Sequence, residues 1–124
     1  MKDIITDPNS PASTSPVSQG TKGGGFVFVG GQMPRDMETG KIVEGATAQA
    51  RLSLQHCISV LEAGGSSVEK IMLAMVYMTD LSAKSAVNDA FAEAFGDSPP
   101  ARNLVEVSDI GEDAIVEIGV IALE

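Results

Sequence analysis

Residues 71–79 read IMLAMVYMT, a run without a charge and apolar at nearly every position. It has strand length and is too short for a buried helix. A half-solvated strand alternates apolar and polar residues. This one does not, so it asks for cover on both faces of a sheet. The flanking segments offer cover for one face. From Ala46 onward, Ala50, Leu54, Cys57, Ile58 and Leu61 recur at helical spacing, and Gly64–Gly65 supply a left-handed stop. Beyond the run, Ser82 is read as an N-cap. Ala83, Ala86, Val87, Ala90, Phe91, Ala94 and Phe95 then form an apolar stripe that Gly96 ends. Ser66 and Glu69 are expected to close a capping box on a short turn.

The other strands frame these helices. Phe26–Val29 is a β run after a glycine turn, and VSQGT has room for a short strand before it. Residues 35–45 form a loop with ETGK at its tip. Arg102–Val107 and Ala114–Leu123, joined by SDIGED, are expected to pair as a hairpin. The order β-β-α-β-α-β-β is an α+β pattern with two helices on one sheet face. In the last strand Val116, Ile118, Val120 and Ala122 share one face, and Glu117, Gly119 and Ile121 the other. Two helices cover one side; the other needs a partner, and a second subunit supplies it. Residues 1–124 are read as one domain, with the Ser-, Pro- and Gly-rich stretch 7–25 partly loop.

Charge and composition narrow the function classes. A formal net charge of −9 argues against a nucleic-acid partner, which needs a basic stripe. A small anionic metabolite stays compatible, because one well-placed cation can hold it. No run is long enough to span a membrane. The N-terminal MKDIITDPNS lacks the apolar centre of a signal peptide, so the cytoplasm is the expected location. The single cysteine, Cys57, cannot form an internal disulfide. His56, the single histidine, has no companions at metal-ligand spacing, and no metal is expected. The glycines at 23–25 lack the Lys-Ser/Thr of a phosphate loop and are read as a turn.

Two charged residues stand out. Arg102, one of three arginines in the chain, follows the rigid Pro99–Pro100 at the start of a strand. Either its stem lies on apolar surface, or its guanidinium presents a stiff fork to a carboxylate. Glu117 sits mid-strand in VEIGVIAL, where charge burial is costly. It is either half of an ion pair or a general base that positions water. Asn88, just off the stripe in AVNDAFAEAF, reads as a solvated polar residue or as part of a site.

The ordered set SPVSQG (15–20), FVFVGGQMPRDMETGKIV (26–43), QARLSLQHCISVLEAGGSSVEKIMLAMVYMTDL (49–81), VNDAFAEAFGDSPPARNLVEV (87–107) and VEIGVIAL (116–123) resembles the RidA (YjgF-type) family of enamine/imine deaminases. The resemblance spans nearly the whole chain, with PPAR its most specific piece. It implies a chorismate-mutase-like fold and a barrel-like homotrimer with pockets between neighbouring subunits. It implies a cofactor-free reaction: a 2-enamine acid tautomerises to a 2-imino acid, water adds to the C=N carbon, and ammonia leaves a 2-keto acid. By the same resemblance Arg102 clamps the substrate carboxylate and Glu117 places the water. The Leu104 backbone N–H assists; Asn88, Gly31 and the residue at 17 border the substrate.

Four positions depart from the family pattern. Val17 replaces a tyrosine, Gly30 a Ser or Thr, Asn103 a Ser, and Gly119 a second Glu. A roomier pocket would suit a longer enamine acid, such as the 2-aminomuconate that some relatives deaminate. The alternative is a non-catalytic trimer, small-acid-binding or chaperone-like, that keeps the pocket without turnover.

Overall fold

The structure is a computed structural model describing residues 1–124. Six strands and two α-helices follow the order β1 (Asp3–Ile5), β2 (Gly20–Gly23), β3 (Phe26–Gln32), α1 (Ala46–Ala63), β4 (Ile71–Met78), α2 (Lys84–Phe95), β5 (Ala101–Glu106) and β6 (Val116–Leu123). One sheet holds all six strands in the order β1-β2-β3-β6-β4-β5. No helix is long and apolar enough to cross a membrane.

The expected hairpin between the last two strands does not form. β5 pairs in parallel with β4, while β6 runs antiparallel between β3 and β4. The physical reason is the crossover: α2 carries the chain from β4 back to a parallel neighbour on the outer side, as a βαβ unit does. The 107–115 loop then spans β4 to reach its other edge. β6, apolar on its helix face and narrow at Gly119, fills the central slot.

Both helices lie on one face. Leu54, Cys57, Val60 and Leu61 of α1 and Val87, Ala90, Phe91 and Phe95 of α2 form one core with Val27, Val29, Ala74, Val76, Met78, Val116, Ile118, Val120 and Ala122. The Cys57 thiol donates to Ile118 O at 3.1 Å, and its complete burial pushes its pKa up. The central run is therefore two-sided in sequence but covered on one side only. Leu73, Met75 and Tyr77 are half-exposed on the open face, beside exposed Phe26, Phe28, Val105 and Leu123.

Two local caps differ from expectation. Asp80, not Ser82, closes the turn before α2: its carboxylate accepts from Ser82 N–H at 2.9 Å, and Lys84 opens the helix. Ser66 makes no capping box because its hydroxyl donates to Leu123 O. The Gly64–Gly65 stop is carried by Gly65, whose φ is 86°.

The N-terminal stretch is tied down by two polar hubs. The Gln19 amide nitrogen lies within 3.1 Å of the carbonyls of Asp7, Ser10 and Pro11, and its oxygen accepts from Asp7 N–H. The Asp7 carboxylate accepts from Ser10, Ser59 and the Asn9 N–H. Burial raises the Asp7 pKa, but these hydrogen bonds outweigh it and hold the group below its usual range.

A β-bulge opens the β3–β6 ladder. Val29 pairs with Val120 and Gln32 with Ile118, so Gly30 and Gly31 together oppose Gly119. Fully buried Ser53 of α1 bridges the gap: its hydroxyl accepts from Ile118 N–H at 2.9 Å and donates to Gln32 O at 2.6 Å. Gln49 accepts from the N–H groups of Ile115 and Val116 just upstream. Ser53→Ala would orphan a buried donor and a buried acceptor. It is expected to destabilise the fold by about 1–3 kcal/mol. Denaturant unfolding would check this; an unchanged midpoint would refute it.

Candidate active site

The bulge sets the first of two clusters. A side chain at position 31 would put its Cβ 2.9 Å from the Glu117 carboxyl, so any residue but glycine would push that carboxyl aside. At Gly119 a Cβ would meet Val29 O at 3.1 Å and the Gly31 nitrogen at 3.4 Å. A glutamate there would crowd the bulge, which gives the departure at this position a structural reason. Gly30 N–H donates to Gln19 O at 3.0 Å, tying the bulge to the N-terminal loop that carries exposed Val17.

Val17, Gly30, Gly31, Arg35, Glu112 and Glu117 face a common cleft of about 430 Å³. Glu117 is half-buried on the open sheet face, beside Tyr77 in the ladder. Desolvation raises its pKa, with no opposing hydrogen bond. Such desolvation makes a carboxylate a stronger base than one in water.

The second cluster lies at the β5 edge. Arg102 Nη2 donates to Asn88 Oδ1 at 2.9 Å, and the guanidinium carbon lies 4.9 Å from the Phe91 ring centroid. The prolines set the strand entry, and the ring and amide fix the fork in orientation. Arg102, Asn88, Phe91, Gly96 and Pro100 line a shallow cleft. Val107 N–H donates to Met78 O. By strand alternation Val105 and Asn103 also turn their N–H groups to β4, and Leu104 N–H points to the open edge.

The two clusters do not meet within one chain. Arg102 is paired with Ala74 and lies on the helix side of the sheet, whereas Glu117 is paired with Tyr77 on the open side. Two strand spacings and three residues separate them, roughly 14 Å between Cα atoms. Glu117 therefore makes no ion pair with Arg102, and Asn88 is not simply solvated. The sequence points to Arg35 and Glu112 only as loop residues and to Phe91 only as part of the α2 stripe, and to none of them as a site residue. For Arg35 a signal existed: it follows GGQMP directly in a chain with three arginines.

The endoribonuclease L-PSP family model matches residues 7–124. The chain is 41% identical over 123 residues to the RutC family protein PH0854 of Pyrococcus horikoshii, covering 98% of each. It is 36% identical over 126 residues to the 2-iminobutanoate/2-iminopropanoate deaminase of Salmonella typhimurium, covering 99% of this chain and 98% of that protein. Its backbone is similar to the crystal structure of Escherichia coli TdcF with bound serine, with a TM-score of 0.93, 33% identity and 98% of each chain covered.

Proposed function

The chain belongs to the RidA (YjgF-type, L-PSP) family, and from that premise we propose that it hydrolyses reactive 2-enamine and 2-imino acids to 2-keto acids and ammonia. The carrying observation is the pairing of two incomplete half-sites. One chain offers a stiffly held guanidinium without a base beside it. The same chain offers, elsewhere, a half-buried carboxylate in a cleft whose one arginine, Arg35, is paired with Glu112. A trimer that sets the β5 edge of one subunit against the β3–β6 cleft of its neighbour would complete both. The open sheet face favours such an assembly, because Phe26, Phe28, Val105 and Leu123 lie exposed on it.

In the assembled site Arg102 binds the substrate carboxylate and Asn88 and Phe91 hold the guanidinium in plane. The outward Leu104 N–H donates to the same carboxylate. Glu117 takes a proton from water as the oxygen adds to the C=N carbon. Glu117 returns that proton to the nitrogen and then relays the hydroxyl proton to it as well; the C–N bond breaks, ammonia leaves, and the C=O of the keto acid forms. Gly31 lets substrate approach Glu117. Val17, smaller than the tyrosine of the family pattern, widens the wall toward longer acids such as 2-aminomuconate. No cofactor enters this chemistry.

The test generates a 2-imino acid in situ with an amino-acid oxidase and follows keto-acid release above the spontaneous rate. Absence of acceleration with every imino acid tried would sink the enzymatic reading. It would favour a trimeric small-acid-binding or chaperone-like protein instead. Arg102-dependent binding of 2-keto acids without turnover would identify that outcome.

Glu117 also gives a pH prediction. Its base form is needed, and desolvation places its pKa above the usual carboxylate value. Activity should therefore fall with acid through a limb above that value. Stability has the opposite sign. Between the ordinary and the raised pKa the folded state holds more protons than the unfolded, so stability declines as pH rises through that window. Glu117→Gln is expected to raise the melting temperature at neutral pH while abolishing turnover. A melting temperature lowered by the substitution would refute the desolvation account.

A further inference from the structure

Arg35 is the one cationic side chain lining the Glu117 cleft, and the reaction described above gives it no work. It is held firmly. Its backbone bridges Ile42, its carbonyl accepts from His56 Nε2 at 2.8 Å, and Nη1 donates to Gly40 O at 2.8 Å. Nη2 donates to the Glu112 carboxylate. These contacts engage two of the guanidinium's five N–H donors, which leaves part of the fork for another acceptor. Glu112 and Asp113 both adopt left-handed backbone conformations, with φ of 55° and 59°. Non-glycine residues adopt these at a cost. Glu112 is thus a partner held on a strained loop, and it competes for Arg35 from the exposed rim.

We propose that Arg35 is a second carboxylate-binding residue that selects dicarboxylic 2-imino acids. The inference rests on the deaminase reading and names the substrate class of that site. Arg102 of one subunit holds the carboxylate next to the imine, and Arg35 of the neighbouring cleft takes the distal one. The shape of the fork favours this occupant. The half-site presents one guanidinium and two carboxylates, Glu112 and Glu117, so a diacid gains where its distal carboxylate takes Glu112's place on Arg35. A distal amide or methyl would gain little from the guanidinium, whereas a planar carboxylate matches its fork. Val17 leaves the wall between the two ends low enough for a longer chain. Hydrolysis balances as before: the imine and water give the 2-oxo diacid and ammonia, and the distal carboxylate is unchanged.

The experiment compares kcat/KM for 2-iminoglutarate with that for 2-iminopentanoate, two five-carbon acids differing in the distal group, each made in situ by an oxidase. Unaltered protein is expected to favour the diacid. Arg35→Leu should lower the diacid-to-monoacid ratio about tenfold or more. Arg35→Lys, keeping charge without the fork, should give an intermediate ratio and guards against a misfolded leucine variant. Glu112→Gln, removing the competing charge, should raise the ratio. A ratio unchanged by both Arg35 variants would overturn the proposal, because an arginine that only clamps loops lowers both substrates together. Should no imino acid be turned over, the deaminase reading fails by itself. The same ratio then comes from calorimetry with 2-oxoglutarate and 2-oxopentanoate, and the same outcomes decide it.

Discussion

Arg102→Ala is expected to lower kcat/KM for 2-imino acids by two orders of magnitude or more, with the fold intact. A hydrogen bond to a charged group contributes about 1.5–3 kcal/mol. Losing both arms of the fork removes binding on that scale, roughly tenfold to a hundredfold. The transition state adds to the loss, because a misplaced C=N carbon no longer meets the water at Glu117. Stability should change little. Arg102 is only half-buried and its partner Asn88 is exposed, so neither is left orphaned in the core. Steady-state kinetics with a parallel thermal melt separates the two effects. A variant that retains more than half the activity would refute the clamp.

Co-expressing Arg102→Ala chains with Glu117→Gln chains is expected to restore activity that neither possesses alone. The two residues stand on opposite faces of one sheet, so in the proposed assembly a site takes each from a different subunit. In a random 1:1 mixture half the chains supply an intact guanidinium and half an intact carboxylate. About one site in four then carries both. Recovery to about a quarter of unaltered activity is the expected reading, and the doubly substituted chain should show none. If the mixture stays as inactive as its parents, the sites do not lie between subunits.

Much of the fold was legible where the signal was local. The stripe of α2, the apolar run of β4 and the glycine at its helix end each follow from periodicity or backbone preference. β1 was missed because Asp3–Ile5 is too short to carry any period. The pairing of β5 was misjudged for a different reason. A short loop favours a hairpin, but β6 finds more apolar surface between β3 and β4 than at the edge, and no local residue encodes that competition. The site divided along the same line. Arg102 and Glu117 were visible as charges out of place in apolar strands. The position of Arg35 after GGQMP is a signal, but its partner Glu112 lies far along the chain, and the Ser53 bridge has none, because it fills a backbone gap that only the bulge creates.

Cys57 carries a last consequence. Its sulfur is sealed beneath the sheet, bonded to a strand carbonyl and kept protonated. Dehydroamino acids are electrophiles toward soft nucleophiles, and thiolate is the form that attacks them. A protein that handles such compounds with its sole sulfhydryl masked presents them no thiolate, which removes its softest nucleophile from that side reaction.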